Sequence, residues 1–203
     1  MNIYGLLDCN QFYVSCERAF APHLEGKPVG VLSNNDGCLV ALSPELKALG
    51  ITRGTPAFKI KQTLRESGSH NQVYLFSSNY ELYGDMSNRV MKIVSSLSDD
   101  IEIYSIDEAF LLFKHIHRDF NIYEQVKHIK DQVKKQTGIP ISIGLAHTKT
   151  LAKIANKIAK KSQTGIFELL ESNLIECVLK KTDTEDIWGI GRQHTKILIY
   201  SNI

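Results

Sequence analysis

The stretch IEIYSIDEAFLLF, residues 101–113, contains two strand-like runs separated by a pair of carboxylates. Residues 101–104 and 109–113 are rich in apolar, β-branched and aromatic residues, which is typical of strands. The connecting residues, 105–108, include Asp107 and Glu108. The stretch therefore predicts a β-hairpin with two acidic side chains at or beside its turn.

Two further elements are predicted on the N-terminal side of this hairpin. Residues 3–7 form a short apolar run that ends at Asp8, which predicts a strand with a carboxylate at its end. Ser78 and Glu81 have the spacing of a capping box and predict the start of a long helix. The apolar residues expected on one face of this helix are Leu82, Met86, Val90, Ile93 and Leu97.

On the C-terminal side, the pattern predicts another helix and another strand. The helix runs through Val126 and Val133 and ends at Gly138, and residues 141–146 follow as a strand. The order strand, helix, strand, strand, helix, strand is that of the split βαβ arrangement. We therefore predict a mixed α/β (α+β) fold with a ferredoxin-like sheet.

The segment between the first strand and Ser78 would form an inserted subdomain with its own short elements. Ser43 as N-cap, Pro44 at the first helical position and Gly50 just past the end predict one short helix. The other elements predicted before Ser78 are a helix over 11–20, strands over 27–32 and 38–42, and a helix from Thr55 and Pro56 to near Gly68.

Composition places the 203-residue chain among ordinary globular proteins, with 43% hydrophobic residues and a formal net charge of +2. The first apolar run meets Asp8 too early for a signal-peptide core, and no run approaches the length of a membrane span. We therefore expect a cytoplasmic protein without membrane contact. Four scattered cysteines without a C-x-x-C pair argue against a zinc site and a disulfide framework.

The predicted fold brings the acidic residues towards one another. In a split βαβ sheet the first and third strands are the central pair, so Asp8 could approach Asp107 and Glu108. Crowded carboxylates favour a bound cation, and hard oxygen ligands suit magnesium held together with phosphates. On spacing alone another interpretation stays open, in which Asp8 caps a turn and the Asp-Glu pair faces water.

A lysine-rich helix follows the last predicted strand. Between His147 and Lys161 there is no acidic residue, and at about 100° per residue the lysines cover an arc of roughly 120° opposite the apolar side. These lysines are Lys149, Lys153, Lys157, Lys160 and Lys161. Both a solvated face and a surface that contacts a polyanion or a triphosphate remain open, although solvated faces usually mix charge signs.

A glycine-rich turn lies near the end of the chain. Gly189-Ile190-Gly191 stands between a helical pattern through Leu174 and one through Ile197. Exposed backbone N–H groups in such a turn can hold a phosphate, and Arg192 would add positive charge. A tight helical hairpin without a ligand is the alternative.

Four motifs, taken together, resemble those of the Y-family DNA polymerases in identity, order and spacing. They are DCNQFYVSCE (8–17), YSIDEAF (104–110), KTLAKIAN (149–156) and WGIG (188–191). Within that family, SNNDGC (33–38) and SSNYELY (77–83) are more similar to the UmuC branch than to the DinB branch. The resemblance covers essentially the whole chain.

The resemblance implies error-prone, translesion DNA synthesis on damaged templates, as in DNA repair and the SOS response, with two Mg²⁺ ions as cofactors. Asp8, Asp107 and Glu108 would be catalytic and would hold the metals, together with the backbone carbonyl of Cys9. Tyr13 matches the steric gate that excludes ribonucleotides.

Two lysines would bind the triphosphate of the incoming deoxynucleotide. Lys160 matches the family's triphosphate-binding lysine. Lys47 stands where many members carry arginine, and it offers a point charge where arginine offers a two-pronged fork.

Further implications concern DNA and domain organisation. Residues 1–11 and 78–165 would form the palm, 12–77 the fingers, and 166–203 part of a thumb with a helix-hairpin-helix. Lys149, Lys153, Gly189, Gly191 and Arg192 would contact primer-template DNA. The chain ends at Ile203, so the family's C-terminal little-finger domain is expected to be missing. At family level, an accessory UmuD-like subunit and a sliding clamp are further expected partners.

Two other interpretations remain. One is a DNA-binding fragment with little or no polymerase activity, because the DNA-grasping domain would be absent. The other is a different two-metal enzyme on a similar palm, such as a nucleotide cyclase, against which the inserted subdomain and the glycine turn argue.

Overall fold

A computed structural model describes residues 2–35, 37–66, 72–98, 100–114 and 121–201, apart from the side chains of Arg192 and Ile199. The chain divides into two compact units. The first unit comprises residues 1–8, 91–132 and 141–203. The second unit comprises residues 9–90 and 133–140. The predicted helix end near Gly68 lies outside the described residues.

The larger sheet has five strands in the order β5-β6-β1-β7-β8. These strands are β1 (Ile3–Cys9), β5 (Ile101–Ile103), β6 (Glu108–Phe113), β7 (Ile141–Ala146) and β8 (Ile166–Leu169). β1 and β6 are antiparallel neighbours, and β7 lies on the other side of β1. The predicted split βαβ order is therefore confirmed, with β1 and β6 as the central pair.

The helices that follow residue 79 include those predicted after Ser78, through Val126 and after His147. They are α4 (Tyr80–Leu97), α5 (Ile122–Thr137), α6 (Lys149–Ala159), α7 (Ser172–Leu179) and α8 (Arg192–Tyr200), with a short 3-10 helix at Thr184–Asp186. A buried cluster that includes Leu6, Phe110, Ala152 and Leu169 joins the sheet to α6. α7 adds partly buried apolar residues to that cluster.

The beginning and the buried face of α4 differ from the prediction. Asn79 caps the helix, since its side-chain oxygen accepts a hydrogen bond from Leu82 N at 3.1 Å. The Ser78 hydroxyl instead donates to the carbonyl of Leu32 at 2.6 Å, so the predicted capping box at Ser78 is wrong by one residue. The most deeply buried face of α4 is centred on Tyr83 and Val90.

The second unit contains a three-stranded sheet in the order β3-β2-β4. Its elements are α1 (Phe12–Phe20), a 3-10 helix (Pro22–Leu24), β2 (Val29–Leu32), β3 (Leu39–Leu42), α2 (Pro44–Ala48), α3 (Ala57–Glu66) and β4 (Tyr74–Ser77). The predicted N-cap is confirmed, because the Ser43 hydroxyl accepts from Leu46 N at 3.2 Å. Leu39, Leu46 and Ile60 lie in the core of this unit.

Two strands were missed by the sequence analysis. β4 pairs parallel with β2, and β8 pairs parallel with β7. Each has only four residues, which give too little periodicity to distinguish a strand from a loop. Both strands are recognised only through a neighbour that is distant in sequence.

α6 lies close against β7 because Gly144 has no side chain. A Cβ atom at Gly144 would be 2.1 Å from the backbone nitrogen of Asn156. The Asn156 amide donates to the carbonyls of Leu6 and Ser142, both at 2.9 Å, and so fixes α6 to β1 and β7. This contact determines where the lysines of α6 lie relative to the sheet.

No helix within the described ranges is long and apolar enough to cross a membrane. None of the four cysteines, all of which are described, forms a disulfide bond.

Candidate metal and nucleotide site

Pairing of β1 with β6 brings two of the predicted carboxylates together. Asp8 lies directly opposite Glu108 in the antiparallel register. Asp8 is the second-last residue of β1, and Glu108 is the first residue of β6. The strand ends therefore place both side chains at one edge of the sheet, as the sequence predicted.

Asp107 is held in the turn that precedes β6. Its carboxylate accepts a hydrogen bond from the Ser105 hydroxyl at 2.8 Å. The same hydroxyl accepts from the backbone nitrogen of Glu108 at 3.1 Å. Ser105 thus fixes the turn that carries both acidic residues, a role that the sequence analysis did not assign to it.

Burial and charge together perturb Asp8. The pKa of Asp8 rises from 3.8 to about 6, because burial disfavours its charged form and the neighbouring carboxylates of Asp107 and Glu108 add to this effect. The ammonium of Lys160 opposes this increase by lowering the pKa, through its charge and its hydrogen bond. Three acidic groups therefore interact at this edge, and a cation favours their ionised forms.

Four lysines of the α6 segment each contact a carboxylate from another element. Lys160 Nζ lies 2.6 Å from Asp8 Oδ2, and Lys153 Nζ lies 3.1 Å from both oxygens of Glu108. Lys149 Nζ lies 2.5 Å from Glu102, and Lys157 pairs with Asp186. These four lysines, here called the lysine row, are each paired with an acidic residue that is remote in sequence. The row is therefore neither a fully solvated face nor an unpaired cationic surface.

Aromatic side chains surround part of this row. The ring of Tyr104 is in edge contact with the rings of Phe110 and Trp188, with centroids 5.7 and 5.5 Å apart. Trp188 Nε1 donates to the hydroxyl of Tyr104 at 3.2 Å. The segment that precedes Gly189 therefore packs against the same residues that lead into the acidic turn.

The glycine turn itself is only partly as predicted. Gly189 has a positive φ of 88°, which suits glycine, and α8 begins at Arg192. Residues 180–191, which include a 3-10 helix, separate α7 from α8. The connection is thus longer than a tight helical hairpin. Gly191 lies in this connection, and a Cβ there would meet no atom within 4 Å.

The remaining predicted site residues lie in the second unit. The ring of Tyr13 stacks on that of Tyr83, with centroids 4.3 Å apart and planes 14° from parallel. Tyr83 is fully buried and donates its hydroxyl to Glu17 at 2.7 Å, which fixes the surface on which Tyr13 rests. Lys47 is exposed near the end of α2, and Cys9 is buried at the end of β1.

The three carboxylates have the chemistry of a magnesium site, which prefers hard oxygen donors with room for phosphate ligands. Within the described ranges, however, no three acidic, histidine or cysteine side chains are grouped as a metal-binding set. Asp8 and Glu108 direct their oxygens to lysines, and Asp107 directs an oxygen to Ser105. A metal would therefore have to replace these lysine contacts.

Comparison with protein families identifies the chain's relatives. Residues 7–157 match the model of the impB/mucB/samB family, over the same segment that contains the acidic and lysine motifs. The chain belongs to this family.

Curated relatives of the impB/mucB/samB family cover nearly all of the chain. The chain is 46% identical over 199 residues to protein UmuC of Salmonella typhimurium. The aligned segment covers 97% of this chain and 46% of that protein. DNA polymerase IV of Saccharolobus solfataricus is 30% identical over 191 residues, or 91% of this chain and 52% of that protein. The chain thus spans about half the length of the curated relatives that it matches.

Solved structures agree with this family membership. The chain superposes on an insertion ternary complex of Dbh DNA polymerase with a TM-score of 0.82 and 26% identity, covering 99% of this chain and 58% of that one. DinB from Sulfolobus solfataricus gives a TM-score of 0.78 at the same identity, with 99% of this chain and 57% of that one covered. The predicted resemblance to Y-family polymerases of the UmuC branch is confirmed.

Proposed function

We propose that the chain provides the metal- and nucleotide-binding part of an error-prone translesion DNA polymerase that acts during DNA repair and the SOS response. The observation that supports this most strongly is the register of β1 and β6, which sets Asp8 opposite Glu108 beside Asp107. Membership of the impB/mucB/samB family also supports it, because the matched residues 7–157 include all three carboxylates.

Asp8, Asp107, Glu108 and the backbone carbonyl of Cys9 would hold two magnesium ions. When bound, magnesium would activate the primer 3′-OH for attack on the α-phosphate and stabilise the pyrophosphate leaving group. No protein nucleophile is then required. If metal replaced the contacts of Lys160 with Asp8 and of Lys153 with Glu108, both ammonium groups would be free to bind phosphate.

The nucleotide contacts are assigned by motif. Lys160, which already approaches the acidic cluster, would bind the triphosphate, and Lys47 would support it as a point charge. Tyr13 would act as the steric gate. Its stacking on buried Tyr83 supports this role, because a gate must present a ring in a fixed position.

We further propose that residues 1–11 and 78–165 form the palm, 12–77 the fingers and 166–203 part of the thumb. Lys149, Lys153 and the Gly189 to Arg192 segment would contact primer-template DNA. An accessory UmuD-like subunit and a sliding clamp are proposed partners of the whole protein, which would act in the cytoplasm where its DNA substrate lies.

Primer extension tests the assignment directly. With saturating chain, primer-template, deoxynucleotides and magnesium, we expect extension that the substitution Asp107→Ala reduces by at least about 100-fold, because a metal ligand is lost. The matched control is Asp131→Ala, an exposed acidic residue on α5. Extension should be unchanged in this control.

Equal activity in Asp107→Ala and the unchanged chain would exclude the proposed site. Extension that appears only when a family C-terminal domain is supplied would still support the site. Salt-dependent DNA binding without extension, even with that domain, would limit the function to DNA binding.

A further inference from the structure

Lys153 occupies an unusually enclosed position for a lysine. Only 18% of its side chain is exposed, although lysines are mostly solvated. Its ammonium lies at equal distances of 3.1 Å from the two oxygens of Glu108, so it is centred on the carboxylate. It therefore contacts a proposed metal ligand where a metal ion would bind.

Two aromatic rings face the same ammonium. Lys153 Nζ lies 4.6 Å from the centroid of Tyr104 and 5.3 Å from the centroid of Trp188. The hydrogen bond from Trp188 Nε1 to the Tyr104 hydroxyl fixes the two rings relative to each other. Cation–π attraction to two rings adds to the ion pair with Glu108 and restrains the lysine.

The proposed metal and the lysine ammonium cannot share Glu108 without cost. Like charges a few ångströms apart repel strongly in a partly buried site, where water screens them poorly. The aromatic contacts increase the repulsion between the ammonium and the metal, because they hold the ammonium near the carboxylate instead of letting it move into solvent. Removal of the ammonium, or of the rings that restrain it, should therefore favour the metal.

We propose that Lys153 competes with divalent metal for Glu108, and that Tyr104 and Trp188 are positioning residues that hold its ammonium there. This inference rests on the proposed metal site at Asp8, Asp107 and Glu108. It gives the Tyr104 and Trp188 rings a role in tuning metal affinity, separate from contact with DNA.

Binding of Mn²⁺, followed by the electron paramagnetic resonance signal of the free ion, measures this competition without catalysis. Lys153→Met should bind Mn²⁺ about fivefold more tightly than the unchanged chain, because the competing charge is gone. Trp188→Leu should tighten binding by a smaller factor, and Trp188→Phe should restore the original affinity. Lys157→Met, one turn along α6 and paired with Asp186, is the matched control and should have no effect.

Unchanged or weaker Mn²⁺ binding in Lys153→Met would overturn the competition. Weaker binding in Trp188→Leu would show that the rings only support the local structure, which would overturn their positioning role. Circular dichroism establishes that each variant is folded, and the Trp188 pair decides the question if Lys153→Met does not fold.

The fluorescence of Trp188 gives a second measurement, because it is the chain's one tryptophan. Addition of Mg²⁺ should shift its emission in the unchanged chain and have no effect in Lys153→Met. A shift that persists in Lys153→Met would contradict the proposed link. By contrast, Mn²⁺ binding that survives Asp8→Asn would refute the proposed metal site itself, whatever the behaviour of Lys153.

Discussion

Asp8 is buried and has three charged neighbours, so its pKa depends both on burial and on nearby charge. Only 9% of its side chain is exposed, and Lys160 supplies a direct counter-charge. The pKa of Asp8 nevertheless rises, because burial and the carboxylates of Asp107 and Glu108 outweigh the ammonium. The ionised form of Asp8 is therefore disfavoured in the folded chain.

The stability of the chain should depend on Asp8 between pH 4 and 6. The folded-state pKa of about 6 exceeds the ordinary value of 3.8, so the folded chain binds more protons and the free energy of unfolding falls as pH rises. A rise of about two in pKa corresponds to about 3 kcal/mol. Urea unfolding of Asp8→Asn should therefore show a stability advantage that grows from pH 4 to 6, relative to the unchanged chain.

The comparison of the two chains cancels the titration of all other groups to a first approximation. A constant difference between Asp8→Asn and the unchanged chain across this range would show that Asp8 does not titrate there.

Tyr13 should control sugar selection. Loss of its ring in Tyr13→Ala removes the surface that would clash with a ribose 2′-OH, so we expect ribonucleotide incorporation to rise by at least about tenfold. Phe58→Ala removes an exposed aromatic ring from α3 of the same unit and serves as the control. Primer extension with each nucleotide type measures the ratio, and undiminished selection in Tyr13→Ala would remove the gate assignment.

At the scale of elements, the contact between α6 and β7 determines the position of the lysine row. α6 carries Lys153 and leads into Lys160, and Gly144 allows its backbone to approach the sheet. Asn156 then bonds to the carbonyls of two strands. A shift of α6 would therefore move every lysine that contacts the acidic edge.

Gly144→Ala should destabilise the chain by about 2 to 3 kcal/mol, because the new methyl group would overlap the backbone of α6. Gly84→Ala is a matched control, since Gly84 lies in α4 with no atom within 4 Å of an added Cβ. That change should stabilise the helix by about 0.5 to 1 kcal/mol. Urea unfolding measures both, and equal stability of the two variants would contradict the close packing.

At the scale of the whole molecule, charge is nearly balanced, with 24 basic and 22 acidic residues. Part of this balance is local to α6, where Glu102 and Asp186 form ion pairs with Lys149 and Lys157. These pairs neutralise lysines that would otherwise repel one another. A small net charge is therefore compatible with a proposed DNA surface, provided that DNA phosphates can compete with these carboxylates. The chain matches about half the length of its curated relatives.

The local pattern of the sequence determined the elements and the motif residues. The acidic hairpin, the strand that ends at Asp8, the cap at Ser43 and the periodicity of α6 are visible in neighbouring residues, because helix and strand repeats act over a few positions. The order of these elements was sufficient to predict the central pair of strands.

Tertiary structure decided which charges meet. Lys160 and Asp8 are 152 residues apart in the chain, and Lys153 and Glu108 are 45 apart. No short-range pattern encodes such pairs, nor the stacking of Tyr13 on Tyr83, nor the parallel pairing of β4 with β2 and of β8 with β7. They arise when buried faces pack, because packing brings side chains together according to the path of the backbone and not according to their spacing in sequence.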